Sequence, residues 1–186
     1  MVTKTDTTTI LTQPKLQQQV TPSFSRWLKH FFYMPASKRY FSKQDQFAIA
    51  EAVKQAEQGH IGEIQVVIEG HIPSNQAYYQ NTYLRAQQLF AELGVWDTEK
   101  NSGVLLYLNL CEQKVEIVID RGLKKATEQK LWQDVCDQIV LELKNKRHRQ
   151  AVVNGVLSIG KILNLYYEQI GLDEFNELPN SPIILN

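Results

Sequence analysis

The sequence predicts an α/β fold, a three-layer α/β/α sandwich around a small mixed sheet. Two apolar runs, Ile64–Glu69 and Gly103–Asn109, are separated by a helical pattern, which is typical of a βαβ unit with parallel strands. A third run, Lys114–Ile119, follows after a short turn and predicts an antiparallel β-hairpin. Because the sequence VLLYL within the second run is apolar without alternation, we expect helices to cover both faces of the sheet.

The length and composition fit a single domain with a tail. A chain of 186 residues, 43% of them hydrophobic, can bury a sizeable core without disulfides or structural metals. No run reaches the roughly 20 apolar residues that a membrane span needs, and the N-terminus lacks the apolar core of a signal peptide. Two cysteines, Cys111 and Cys136, are too few for a secreted disulfide scaffold. We therefore expect a cytoplasmic protein with unpaired thiols.

The N-terminal segments differ in composition from the rest of the chain. Residues 1–22 form a polar, Thr- and Gln-rich tail that we expect to be mobile. Residues 23–40 form a basic aromatic arm with an amphipathic helix that ends before Pro35, and residues 7–44 contain no acid. Two interpretations stay open: the arm lies on an anionic membrane surface, at the inner face, or it packs its aromatic face on the domain. The acidic remainder argues against nucleic-acid binding.

Helical patterns surround the three strands in the domain predicted at residues 41–168. Ser42 is a plausible N-cap of a helix that ends at Gly59, with Phe47, Ala50 and Val53 on its apolar face. A single helix is predicted from Ser74 to Gly94 because apolar residues recur at helical spacing. Two further helices, Thr127–Leu143 and Gln150–Tyr167, close the domain. The end of the chain, residues 169–186, is expected to form an extended strap.

The predicted topology brings the starts of the first two strands and the end of the third to one edge of the sheet. Polar residues gather near these ends: His60, Glu63, Asp97, Glu99, Asn101, Asp120 and Arg121. Carboxylate and amide oxygens are ligands for Ca²⁺ and Mg²⁺, which makes candidate metal ligands of Asp97, Glu99, Asn101 and Asp120. In a hydrolase the cation would polarise a phosphoryl oxygen. Glu63 or His60 would then serve as general acid or base, and Arg121 would grip the phosphate.

An ordinary structural explanation stays open for these residues. Asp97 would belong to a turn, Asp120 to a surface ion pair, and His60 to a helix C-terminus whose carbonyl groups it satisfies. At the opposite edge, His71 and Cys111 suggest zinc, but their spacing fits no zinc pattern.

Three stretches of the sequence form a recognisable pattern: GEIQV at 62–66, NSGVLL at 101–106 and IDRGL at 119–123. They resemble the TPM-domain family, which includes plant thylakoid and photosystem-repair proteins and many bacterial proteins. The resemblance covers about residues 40–168. It looks closer to a bacterial subgroup, on the stretches VWDTEKNSGVLLYL and KVEIVIDRGL and the tail NELPNSPIIL.

The resemblance implies the α/β/α sandwich and, in some members, an acid-phosphatase activity with divalent cations bound by acidic residues in a cleft. Other members act in assembly, repair or as receptor accessories. Two positions depart from the family pattern, since Ser102 and Lys124 stand where acids are expected. We therefore expect a binding or assembly factor with an unidentified protein partner, peripheral to a membrane and with Ca²⁺ or Mg²⁺ at the acidic edge. The alternative is a metal-dependent, phosphatase-like hydrolase of phosphomonoesters.

Overall fold

The computed structural model describes residues 20–33, 40–167 and 176–185. The predicted mobile tail, apart from its last three residues, lies outside the described residues, as do parts of the arm and the strap. The elements run in the order α1 (Phe24–Phe31), α2 (Lys43–Ala56), β1 (Glu63–Glu69), α3 (Ser74–Ala77), α4 (Thr82–Glu92), β2 (Gly103–Asn109), β3 (Lys114–Ile119), α5 (Arg121–Ala126), α6 (Gln129–Lys144), α7 (His148–Tyr167) and β4 (Ile183–Leu185). Within these described ranges no helix combines the length and apolar character that crossing a bilayer requires.

The strands form one mixed sheet in the order β3-β2-β1-β4. β1 and β2 are parallel, with Glu63 opposite Gly103, and β2 and β3 form the antiparallel hairpin. The α/β fold with a βαβ unit and a hairpin is therefore confirmed. The end of the chain adds a fourth, parallel strand to β1, with Val67 opposite Ile183, where the sequence indicated only an extended strap.

Helices cover both faces of the sheet, which explains the apolar run without alternation in β2. Val104, Leu106 and Leu108 join the larger core beneath α2, α6 and α7, and Leu105 and Tyr107 join the smaller core beneath α4. The start of β2 requires glycine, because a Cβ at Gly103 would lie 1.9 Å from the carbonyl oxygen of Val95.

The prediction of one helix from Ser74 to Gly94 was wrong, because the chain breaks between α3 and α4. Arg26 of α1 donates from Nε to the carbonyl oxygen of Ala77 at 2.6 Å and from Nη2 to that of Tyr78 at 2.9 Å. These carbonyl groups therefore accept from Arg26 and not from the N–H groups of a continuing helix. Asn81 then acts as the N-cap of α4 by accepting from the Leu84 N–H at 2.9 Å.

The predicted apolar face of α2 is correct for Val53 and wrong for Phe47. Phe47 is 67% exposed, and the side chains buried beside Val53 are Ile49, Ala52 and Ala56. The predicted N-cap at Ser42 is present as a full capping box with Asp45. The short helix α5, which the sequence reading missed, begins directly after Asp120, whose side chain caps it.

Candidate functional site

The ends of three strands meet at one edge of the sheet, here called the amino edge: the starts of β1 and β2 and the end of β3. Glu63 and Gly103 are register partners at the first residues of β1 and β2. The Asp120 N–H donates to the Gly103 carbonyl oxygen at 3.0 Å, which places the end of β3 beside the start of β2. The shared edge predicted from the topology is therefore present, and it holds Glu63 and Asp120.

Asp120 is the buried acid of the amino edge. It is 2% exposed, and its Oδ1 accepts from the Arg121 N–H at the start of α5. Its Oδ2 is buried and has no hydrogen-bond partner among the described residues. Burial raises the pKa of this carboxyl group, and the negative charge of Asp120 in turn contributes to the raised pKa of Tyr167, which burial dominates.

A pair of acids, Glu63 and Glu57, lies where the chain enters β1. Glu63 is 5% exposed and its Oε2 accepts from the Leu178 N–H at 3.2 Å, so it ties down the segment that leads to β4. Glu57, which the sequence reading did not single out, accepts from the Ile64 N–H at 2.9 Å. Burial, and to a smaller extent the nearby Glu63, raise the pKa of Glu57 to about 8. No sequence motif marks this position, because the shift arises from contacts made only in the fold.

His60 is held by the backbone on both sides of its ring. Its Nε2 lies 2.7 Å from the carbonyl oxygen of Ala56, and its Nδ1 accepts from the Gly62 N–H at 3.0 Å. These contacts fix the neutral tautomer with the proton on Nε2. Burial lowers the pKa of this 4% exposed imidazole, which opposes protonation further. In this arrangement the ring binds a carbonyl group at the end of α2, and neither ring nitrogen is free to contact a substrate.

The remaining predicted ligands lie at the surface. Asp97 and Glu99 are exposed, and the Glu99 carboxylate is 3.1 Å from the Lys100 ammonium. Asn101 adopts the left-handed conformation with φ of 54°, which asparagine tolerates. Arg121 is also exposed. Ser102, at the position of an expected family acid, is buried and donates to the Ile61 carbonyl oxygen at 2.8 Å, which gives it a structural role.

The carboxylates of the amino edge do not meet in one coordination sphere. Across residues 20–33, 40–167 and 176–185, the one group of three or more His, Cys, Asp or Glu side chains close enough to share a cation lies elsewhere, at His30, Cys111 and Glu112. The donors of the amino edge therefore do not fit a multidentate Ca²⁺ or Mg²⁺ site in this conformation.

The group at His30 also fits a metal poorly, for a chemical reason. Its Nδ1 accepts from the Ile72 N–H at 3.1 Å, so the ring proton resides on Nε2, which faces Glu112 Oε1 at 3.2 Å. A metal at Nε2 would need the lone pair that this tautomer lacks. Burial also raises the pKa of the Cys111 thiol to about 11, whereas a metal requires the thiolate. The group instead anchors α1 to the hairpin.

The helix α1 packs on the domain through its polar side. Arg26 donates to carbonyl groups after α3, the buried ring of His30 accepts from Ile72, and the Lys29 ammonium is 3.5 Å from the Glu112 carboxylate. The expectation that the aromatic face would pack on the domain was therefore wrong.

The opposite side of α1 forms an exposed aromatic face, defined as Phe24, Trp27, Phe31 and Phe32, in which Trp27 is half-buried and the three phenyl rings are exposed. The exposed fractions are 63% for Phe24, 56% for Phe31 and 70% for Phe32. Phe24 and Phe31 each stack on Trp27, with ring centroids 5.2 and 5.1 Å apart, respectively. Neighbouring rings thus present one contiguous apolar surface, the kind of surface that marks interaction sites.

Comparisons with known proteins agree on the fold. The sequence model of the TPM domain matches residues 36–162. The solved structure of the BA42 protein from the psychrophilic bacterium Bizionia argentinensis is 26% identical, with a TM-score of 0.68 over 77% of this chain and 94% of that chain. The N-terminal domain of a P. gingivalis protein is 18% identical, with a TM-score of 0.59 over 72% and 83% of the two chains, and so supports the fold alone. The comparison with curated proteins gave no match.

Proposed function

Because the chain belongs to the TPM-domain family, and a shared fold does not fix an activity, we propose a function from the surfaces that this chain presents. The proposed function is that of a non-enzymatic binding or assembly factor. It docks peripherally on an anionic membrane surface through α1 and from there presents the domain to a protein partner.

The exposed aromatic face of α1 is the observation that carries this proposal. Folding ordinarily buries the apolar side of an amphipathic helix, yet here the domain contacts are made by Arg26, Lys29 and His30. Phe31 and Phe32 remain more than half exposed. A helix with aromatic residues on one face and basic residues on the other suits the boundary between headgroups and acyl chains.

The charge distribution supports an anionic surface as the docking partner, and the aromatic rings favour a lipid one. Residues 7–44 carry six basic side chains and no acid, while the rest of the chain has a net negative charge. Arg26 and Lys29 contact the domain, so the attraction to an anionic leaflet, about 1 kcal/mol for each basic side chain near it, comes from the other four. The acidic body would be repelled from the same surface, so the charge distribution also orients the domain away from the membrane.

The double substitution Phe31→Ser and Phe32→Ser tests the docking. We expect flotation of the full-length protein with phosphatidylserine-containing vesicles to fall at least roughly tenfold, because each phenyl ring contributes on the order of 1 kcal/mol or more when it leaves water. The matched control is Leu141→Ser with Leu165→Ser, two residues that are 55% and 73% exposed on α6 and α7. Equal flotation of the wild type and the Phe31, Phe32 variant would refute the proposal.

Cation binding at the amino edge, with phosphomonoester hydrolysis, is the second candidate function. The buried Oδ2 of Asp120, which has no partner among the described residues, favours it, because a cation would satisfy this oxygen. Hydrolysis would further require that the loops carrying Asp97 and Glu99 move inward. Arg121 would then be the phosphate ligand and Glu63 the acid or base.

The substitution Asp120→Asn tests the second candidate. The amide oxygen retains the cap of α5, so the fold is preserved while the charge is lost. If the candidate is correct, calorimetric titration with Ca²⁺, Mg²⁺ and Mn²⁺ will show binding that weakens at least roughly tenfold in the variant, and hydrolysis of a generic phosphomonoester will be lost with it. Asp134→Asn, at an exposed position on α6, is the control. Wild-type protein that binds none of the three cations would exclude this candidate.

A further inference from the structure

A polar cavity lies between α1, the start of α4 and the hairpin. Its volume is about 210 Å³, and it is lined by Ser25, Arg26, Lys29, Asn81, Thr82, Glu112 and Lys114. The cavity is open to solvent on one side and has room for a phosphate group.

Three cations and one carboxylate line this cavity. The Arg26 guanidinium is held in place by the carbonyl oxygens of Ala77 and Tyr78. Glu112 is already paired, at 3.5 Å from the Lys29 ammonium and 3.2 Å from His30 Nε2. The nearby His30, whose Nε2 lies 3.2 Å from the carboxylate, is the main cause that lowers the pKa of Glu112 to about 2, with Lys29 and Lys114 contributing. After this pairing the cavity retains an excess of positive charge, which excludes metal cations and favours anions.

Neutral groups at the cavity are also compatible with an anion. Asn81 is the N-cap of α4, so the positive end of that helix dipole lies at the cavity wall. The Ser25 hydroxyl is exposed and can rotate to donate. The Thr82 hydroxyl donates to the buried Glu116 at 2.7 Å and is therefore not a donor to a ligand. The donors available to an anion are Arg26, Lys29, Lys114 and Ser25.

We propose that this cavity binds a phosphate oxyanion. Arg26 and Lys29 on α1 line it together with Lys114 on the hairpin, so an anion bound there would join the docked helix to the domain. The phosphate comes either from solution or from a lipid headgroup. The lipid source rests on the membrane docking proposed above, in which the aromatic face of the same helix lies at headgroup depth.

Titration of the full-length protein with inorganic phosphate tests the cavity without any membrane. We expect saturable shifts of the backbone amide resonances of Ser25, Lys29 and Lys114 in ¹H–¹⁵N spectra, at constant ionic strength. Lys114→Gln should weaken binding at least roughly tenfold, since it removes one of three cations. The control is Lys161→Gln, at an exposed position on α7. An absence of saturable shifts, or equal affinity of the wild type and Lys114→Gln, would overturn the proposal.

Vesicle flotation identifies the source of the phosphate. If it is a lipid, phosphatidic acid vesicles, which present a phosphomonoester, should retain the wild type better than phosphatidylserine vesicles, and Lys114→Gln should remove this preference. If the source is solution, phosphate binding should depend on Lys114 while flotation on the two lipids is equal. Flotation that depends on Phe31 and Phe32, together with no phosphate binding, would refute the cavity and leave the docking intact. Phosphate binding without flotation would refute the membrane docking and leave the cavity proposal intact.

Discussion

Replacement of Arg85 with methionine should destabilise the domain by about 3–5 kcal/mol, because it leaves an uncompensated charge in the core. Arg85 donates from Nε and Nη2 to Glu69 Oε1 at 3.0 and 2.7 Å, and the Tyr107 hydroxyl donates to Glu69 Oε2 at 2.5 Å. Glu69 is 1% exposed and Arg85 is 8% exposed. Methionine fills similar space but leaves a buried carboxylate without its counter-charge. Urea unfolding followed by circular dichroism measures the loss.

Two further variants separate the ion pair from general disruption of α4. The double variant Glu69→Gln with Arg85→Met should recover part of the loss, because a neutral amide costs less to bury than an unpaired carboxylate. Arg149→Met is the surface control, since its side chain is 52% exposed and 3.6 Å from Asp45; it should cost less than about 1 kcal/mol. If Arg85→Met costs no more than this control, the buried pair contributes no more to stability than a surface pair.

The strands were predictable because their signal is local, whereas the break before α4 was not. The run at β2 and the short turn to β3 specify the hairpin by themselves. The helical spacing of apolar residues between Ser74 and Gly94 is equally local, but the chain departs from it at Tyr78. The cause is a side chain 52 residues away in sequence, the Arg26 guanidinium, which takes the Tyr78 carbonyl. No short stretch of the sequence contains both Arg26 and Tyr78.

The same distinction applies to the candidate sites. Topology alone indicated that Glu63 and Asp120 would share an edge. It did not indicate how their carboxylates are used, since one binds a backbone N–H of the strap and the other caps α5. Periodicity identified two faces on α1 but not which face packs on the domain. The polar face packs on the domain because backbone carbonyl groups and one backbone N–H form hydrogen bonds with its side chains. The hydrophobic periodicity of the sequence contains no information about these hydrogen bonds.

Glu57→Gln should stabilise the protein by about 2–3 kcal/mol at pH 8 and above, with little effect below pH 4.5. The folded-state pKa of about 8 exceeds the ordinary value of 4.5, with burial as the main cause. Between these two pKa values the folded state therefore binds more protons than the unfolded state, and the stability of the wild type falls as the pH rises from 4.5 to about 8. At about 1.36 kcal/mol per pKa unit the full shift would exceed 4 kcal/mol, but residual solvent access screens part of it.

Urea unfolding of both proteins across pH 4.5 to 8 tests this prediction, because their profiles should diverge only inside that window. Glutamine keeps a side-chain oxygen to accept from the Ile64 N–H at the entry to β1, so the variant loses the charge and not the contact. Glu51→Gln, at an exposed position on the same helix α2, is the matched control and should leave the profile unchanged. Parallel profiles for the wild type and Glu57→Gln would mean that Glu57 ionises in the fold as freely as in the unfolded chain. The amino edge would then carry the charge of Glu57 beside Glu63 at neutral pH and attract cations more strongly.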